Sequence, residues 1–162
     1  MNVTVVSGDS DGIPIGSLDA LKQVKCAPTA FTGATANTRG DSAGTSNPYT
    51  IFNVTGDVLV RVWGVCTVLL TGTGTLELGV VGNTASLIAQ TTGTDIDANE
   101  IWSDSTPTLG VDTLASVLGP YIIANGLDIV ETVGTADITA GNIYYICLWR
   151  PLSPDGRVTA AV

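Results

Sequence analysis

The chain has 162 residues, of which 44% are hydrophobic and only 13% charged, and its fifteen acids outnumber six bases to give a net charge of −9. That length fits one domain, or one domain with arms, and a charge density so far below the roughly 25% of ordinary soluble domains asks for apolar surface covered by self-association or by a partner. The bases Lys22, Lys25, Arg39, Arg61, Arg150 and Arg157 are scattered, and nine acids but no base lie between Arg61 and Arg150, so the clustered cations that bind nucleic acid or an anionic membrane surface are missing.

The opening MNVTVVSGDSDG has no basic stretch followed by an apolar one, and so does not read as a secretion signal. No apolar run approaches the roughly 18 residues of a membrane-spanning helix, so synthesis and retention in a cytoplasm are expected. Residues 8–20 are turn-forming, and 22–31 hold a short strand interrupted by Pro28. Residues 32–48 are small and polar without periodicity, which predicts an exposed loop or extended arm. The expected division is therefore an arm with loops over 1–48 and a β-rich core over 49–162.

From Tyr49 onward strand residues dominate. Residues 51–55 alternate loosely, and Gly56-Asp57 breaks the run. Residues 58–70, VLVRVWGVCTVLL, place Val58, Val60 and Val62 on one face and Leu59, Arg61, Trp63 and Val65 on the other, so both faces are largely apolar. IYYICLW over 143–149 does the same. A half-exposed antiparallel strand shows a polar face instead, so these runs mark a sandwich centre or a subunit interface. Gly82-Asn83 and Asn125-Gly126 are two-residue hairpin signals. Residues 94–101, TDIDANEI, look helical, with Thr94 as N-cap and acids in the first turn. Residues 112–118 fit a helical turn or a strand equally. Seven to nine short strands without long helices between them predict an all-β antiparallel sandwich or jelly-roll-like barrel.

The motifs that could carry chemistry are weak. TGTGTLELG over 71–79 has Gly72 and Gly74 in the spacing of a dinucleotide loop, but Glu77 stands where the third glycine belongs and a strand follows, so a turn is expected. Asp95, Asp97, Asn99 and Glu100 resemble the start of a calcium loop, yet Glu100 replaces its glycine and Thr106 its final glutamate. The chain has no His, and Cys26, Cys66 and Cys147 are widely spaced, which excludes the zinc patterns and leaves a cysteine nucleophile without its usual base. Cys66 and Cys147 sit in apolar runs and read as small buried hydrophobes. The carboxylate pairs Asp95 with Glu100 and Asp128 with Glu131 are the remaining catalytic candidates, and nothing in the sequence puts either in a cleft. A non-enzymatic chain with no cofactor and no metal is expected.

Six residues are candidates for an interface: Arg39, Arg61, Trp102, Tyr145, Trp149 and Arg150. Arg39 opens an RGD tripeptide in the small-residue loop. Arg61 and Arg150 interrupt or end apolar strands and can either pair with an acid across a subunit boundary or lie along the surface. Trp102 follows the acidic turn and is the preferred exposed anchor, because tryptophan dominates interface centres. With Asn99 and Asp104 beside it, it could also form a carbohydrate platform.

The stretch GDVLVRVWGVCTVLLTGTGTLELGVVGNTASLIAQTTGTDIDANEIW with the closing IYYICLWRPLSPDGRV resembles a recurrent type of small structural protein of tailed bacteriophages, the capsid decoration or cement proteins. The likeness covers roughly residues 49–157 and is a pattern of strands and turns without a catalytic motif. It implies a β-rich virion protein, commonly a homotrimer. Such proteins bind the major capsid protein on the outer surface of the expanded shell, often through an N-terminal arm. Another virion part, such as a head fibre base or tail component, and a carbohydrate-binding sandwich are the alternatives.

Overall fold

The computed structural model describes residues 21–112 and 120–162. The turns expected over 8–20 and all but Asp112 of the ambiguous segment 112–118 lie outside them. Eleven strands are described: β1 Lys22–Cys26, β2 Tyr49–Thr55, β3 Val58–Thr71, β4 Thr75–Val80, β5 Asn83–Thr92, β6 Glu100–Trp102, β7 Thr108–Leu109, β8 Tyr121–Ile123, β9 Ile129–Gly134, β10 Ala140–Pro151 and β11 Arg157–Ala160.

They form two antiparallel sheets packed as a sandwich and not closed into a barrel. The first runs β1-β10-β3-β6-β7, with β8 also pairing with β3; the second runs β11-β2-β9-β4-β5. The long pair β3–β10 is its spine, in a register that puts Val62 opposite Cys147 and Trp63 opposite Ile146. Because side chains alternate along a strand, Val58, Val60, Val62 and Cys66 of β3 and Ile143, Tyr145 and Cys147 of β10 point inward. They meet Phe52, Leu76, Leu78, Ile88 and Ile129 of the second sheet in one apolar core.

The connections explain which turn signals made hairpins. TGTG is a turn, as expected, and it carries the chain from the first sheet to the second. Gly72 has φ +110°, and a Cβ there would stand 2.2 Å from the Asp137 carbonyl oxygen, so only glycine fits. The hairpin expected at Gly82-Asn83 forms one residue earlier, since Val80 pairs with Asn83 and the two-residue turn is Val81-Gly82. Asn125 and Gly126 take the positive φ values 59° and 67° of the turn that was expected. No hairpin results: β8 pairs with β3 in one sheet and β9 with β2 and β4 in the other. Asn125 N–H donates to Asp57 and Gly126 N–H to the Gly56 carbonyl, so the turn stacks on the β2–β3 turn and crosses between sheets.

One local expectation is corrected and another is narrowed. Residues 94–101 do not form a helix. A single 3₁₀ turn over Gly93–Asp95 has no side-chain cap, and the chain then extends into β6. Tertiary contacts override the local preference: Ile96 is fully buried, and Asn99 at φ +71° donates its N–H to the Cys66 carbonyl on β3. Residues 32–48 form a loop, the first of the two forms expected, and it packs on the core instead of standing away as an arm. Residues 34–37 are exposed, but Gly33, Arg39 and Gly40 are buried. Gly33 N–H donates to the Ile138 carbonyl and Ile138 N–H to the Gly40 carbonyl. Asn47 Nδ2 donates to the carbonyls of Ser42 and Val133, and its Oδ1 accepts from Val133 N–H.

Candidate interaction surface

The outer face of the first sheet is built by the other half of the β3 and β10 alternation. Leu59, Arg61, Trp63 and Val65 of β3 lie opposite Arg150, Leu148, Ile146 and Tyr144 of β10. The flanking strands extend it, with Ile101 of β6 beside Val65, Ile122 of β8 beside Leu59, and Lys25 of β1 beside Ile146. Leu59 is covered, the rest of the β3 and β10 set is half-buried, and Ile122 is exposed at 70%. The face therefore alternates apolar bulk with cations: the Lys25 ammonium lies 3.8 Å from the centre of the Tyr144 ring. No acid occupies any of these strand positions. Among the described residues Lys25, Arg61 and Arg150 form no ion pair, and Arg61 Nε is buried without an acceptor.

The second polar feature is internal. Arg39 and Glu131 are 3% and 1% exposed and meet in a bidentate pair, Nε to Oε1 at 2.9 Å and an Nη to Oε2 at 2.6 Å. The other Nη donates to the Thr29 carbonyl at 2.7 Å, and the guanidinium stacks 3.8 Å from the Phe31 ring centre. Tyr145 Oη donates to Glu131 Oε2, and its ring meets Trp102 edge to face with centroids 6.3 Å apart. Burial opposes the Arg39 charge, but attraction and hydrogen bonds from Glu131 outweigh it and raise the guanidinium above its ordinary value. Burial, reinforced by the Glu131 charge, holds the Tyr145 hydroxyl well above its ordinary value, so it stays a donor. Every oxygen and nearly every donor is used, which leaves nothing free for a substrate.

Of the six candidate interface residues, the structure gathers Arg61 and Arg150 on the outer face. It puts the other four elsewhere. Trp102 is a correction: it is fully buried, and its Nε1 donates to Thr91 Oγ1 at 2.9 Å inside the core. Its register partner Gly64 leaves the space the indole fills, so it is neither an exposed anchor nor a carbohydrate platform. Tyr145 and Arg39 are closed within the network above, so the RGD tripeptide presents no arginine. Trp149 points inward at 8% exposure, with the Lys22 ammonium 5.1 Å from its ring centre. The buried partner of Arg39 was invisible in the sequence because Glu131 lies 92 positions away.

The remaining motifs find structural uses. Glu100 Oε2 accepts Asp97 N–H within the acidic turn, and among the described residues no group of three His, Cys, Asp or Glu converges on a common point. Asp128 accepts Val54 N–H and Glu131 is held by Arg39, so those carboxylates share no cleft. All three cysteines are free and buried; burial pushes Cys66 up to about 11 and Cys147 further, away from thiolate reactivity. A groove of about 260 Å³ runs between Leu87 of β5 and Tyr121–Leu127, lined without Asp, Glu, Lys, Arg or Cys. No helix among the described residues is long and apolar enough to cross a membrane. Compared with known proteins, the chain matches no family model, no curated protein and no solved structure.

Proposed function

We propose that this protein is a non-enzymatic structural component of a virion that binds the outer surface of a bacteriophage capsid and stabilises it as a decoration protein. The observation that supports this reading is the outer face of the first sheet, where half-buried Trp63, Tyr144, Ile146 and Leu148 share a face with Arg61, which has no ion-pair partner among the described residues. Such a face gains free energy when another surface covers it, at about 25 cal/mol per Å² of apolar area. The resemblance of residues 49–157 to phage cement proteins supplies the kind of assembly. Repetition over a shell turns a modest contact per copy into a large total, while each copy's association cost limits its yield. Major capsid protein and further copies of the chain are the partners under this reading, with the virion as its location.

Co-sedimentation with expanded phage heads that lack the protein tests it. Saturable binding of hundreds of copies per head is expected. A dozen or fewer would move the protein to a vertex or tail, and no binding would end the capsid reading.

A further inference from the structure

The apolar cationic face needs an occupant that brings apolar side chains and carboxylates together, and the same chain carries such a surface. At the far edge of the first sheet, Leu109 of β7 and Val111 beyond it are 69% and 79% exposed. Asp95 and Asp97 are exposed in the turn just before β6, and Glu100 lies opposite Leu109 in the β6–β7 register. Neither Asp95 nor Asp97 forms an ion pair among the described residues.

We infer that copies of this chain associate head to tail, the acidic apolar edge around Asp95, Asp97, Leu109 and Val111 of one copy seating on the Arg61 face of the next. Charge complementarity carries the choice. Setting aside Lys25, Arg61 and Arg150, the rest of the chain holds fifteen acids against three bases, so the face meets opposite charge on a second copy. A two-fold contact of the face with itself would bring Lys25, Arg61 and Arg150 of two copies together with no acid at the strand positions of either face, and like charges there repel. The two patches are distinct, so the contact is heterologous, and it repeats around a ring when the rotation between copies closes. This inference rests on the reading that the face is covered in the assembled state, and it identifies what covers it.

The test is sedimentation equilibrium of the free full-length protein, without capsids, at concentrations up to about 100 μM, a range that reaches weak contacts. A mass that plateaus at a small multiple of the protomer is expected. Arg61→Glu should weaken association by about 100-fold or more, and so should Asp95→Lys with Asp97→Lys, as for truncation of close interfacial charge pairs. Near-UV circular dichroism checks that each variant is folded. Combining all three substitutions in one chain restores opposite charge and should restore the plateau. A monomeric wild type, an oligomer indifferent to both single-side changes, or a failure of the combined variant to reassemble each overturns the head-to-tail contact. Head binding is scored separately: a monomer that still coats heads would sink the contact and leave the decoration reading standing. An oligomer that ignores heads would do the reverse.

Discussion

Arg39 and Arg61 are the same side chain in two opposite settings. Arg39 sits in the core with Glu131, Thr29 and Phe31 around its guanidinium. Arg61 lies on the outer sheet face, where among the described residues it has no ion-pair partner and one buried donor is unanswered. A buried charge must be matched within the chain before the fold is stable, since leaving it unpaired costs several kcal/mol. A charge at a half-covered face can stay unmatched until a partner arrives, because water still serves most of its donors. The first arginine therefore reports on how the fold closes, and the second on what the folded molecule can meet.

That contrast can be broken most severely at Glu131. Glu131→Leu strands the Arg39 charge and should cost about 3–5 kcal/mol in urea denaturation, whereas adding Arg39→Met should return most of it. A single variant within 1 kcal/mol of wild type would show that the pair is not closed to water as described, on the same order-of-magnitude scale. Trp102→Ala should lose a comparable amount, about 3–5 kcal/mol, as for other truncated core aromatics. An exposed anchor would lose almost nothing, so near-neutrality would reinstate the surface reading of this residue.

Tyr145→Phe removes one donor from the network and should cost about 1–3 kcal/mol. It also has a pH signature. The Tyr145 hydroxyl titrates above its ordinary 10.0 in the folded state, so its contribution is complete below that pH and lost as pH rises past it. Wild type should therefore weaken more steeply than Tyr145→Phe in alkaline urea titrations. Arg61→Gln, by contrast, should change stability by no more than about 0.5 kcal/mol, as for most surface substitutions, while weakening association. A large stability loss would return Arg61 to the core side of the comparison.

The smallest expected effect belongs to Asp137, which is half-buried and accepts both the N–H and the hydroxyl of Ser42. Those bonds hold its carboxyl below its ordinary 3.8. Its contribution is present above that value and disappears as pH falls through the lowered one. Acid unfolding of Asp137→Asn should differ from wild type near neutrality and converge with it at the acid end.

Much of the fold was legible from local pattern. Alternation marked β3 and β10, Glu77 and the strand after it favoured a turn at Gly72 over a dinucleotide loop, and Asn125-Gly126 took the backbone its composition requires. The acidic turn over 94–101 misled because its helical preference is small, and burying Ile96 against β3 outweighs it. The packing of loop 32–48 was not legible because it rests on backbone and polar side-chain hydrogen bonds, which leave no hydrophobic signature. Trp102 misled because its neighbours in sequence are acidic, while its neighbour in space is Gly64.

By itself the sequence determined an all-β antiparallel sandwich or barrel with strands apolar on both faces, too few cations to clamp a phosphate backbone, and no histidine. Periodicity and composition are local properties, and they are sufficient for that. Only the tertiary structure decided which face of β3 became the core, which arginine was matched, and that Trp102 lies inside. Each of those depends on residues far apart in the chain being brought to one point, and cross-strand register, not spacing along the chain, sets that distance.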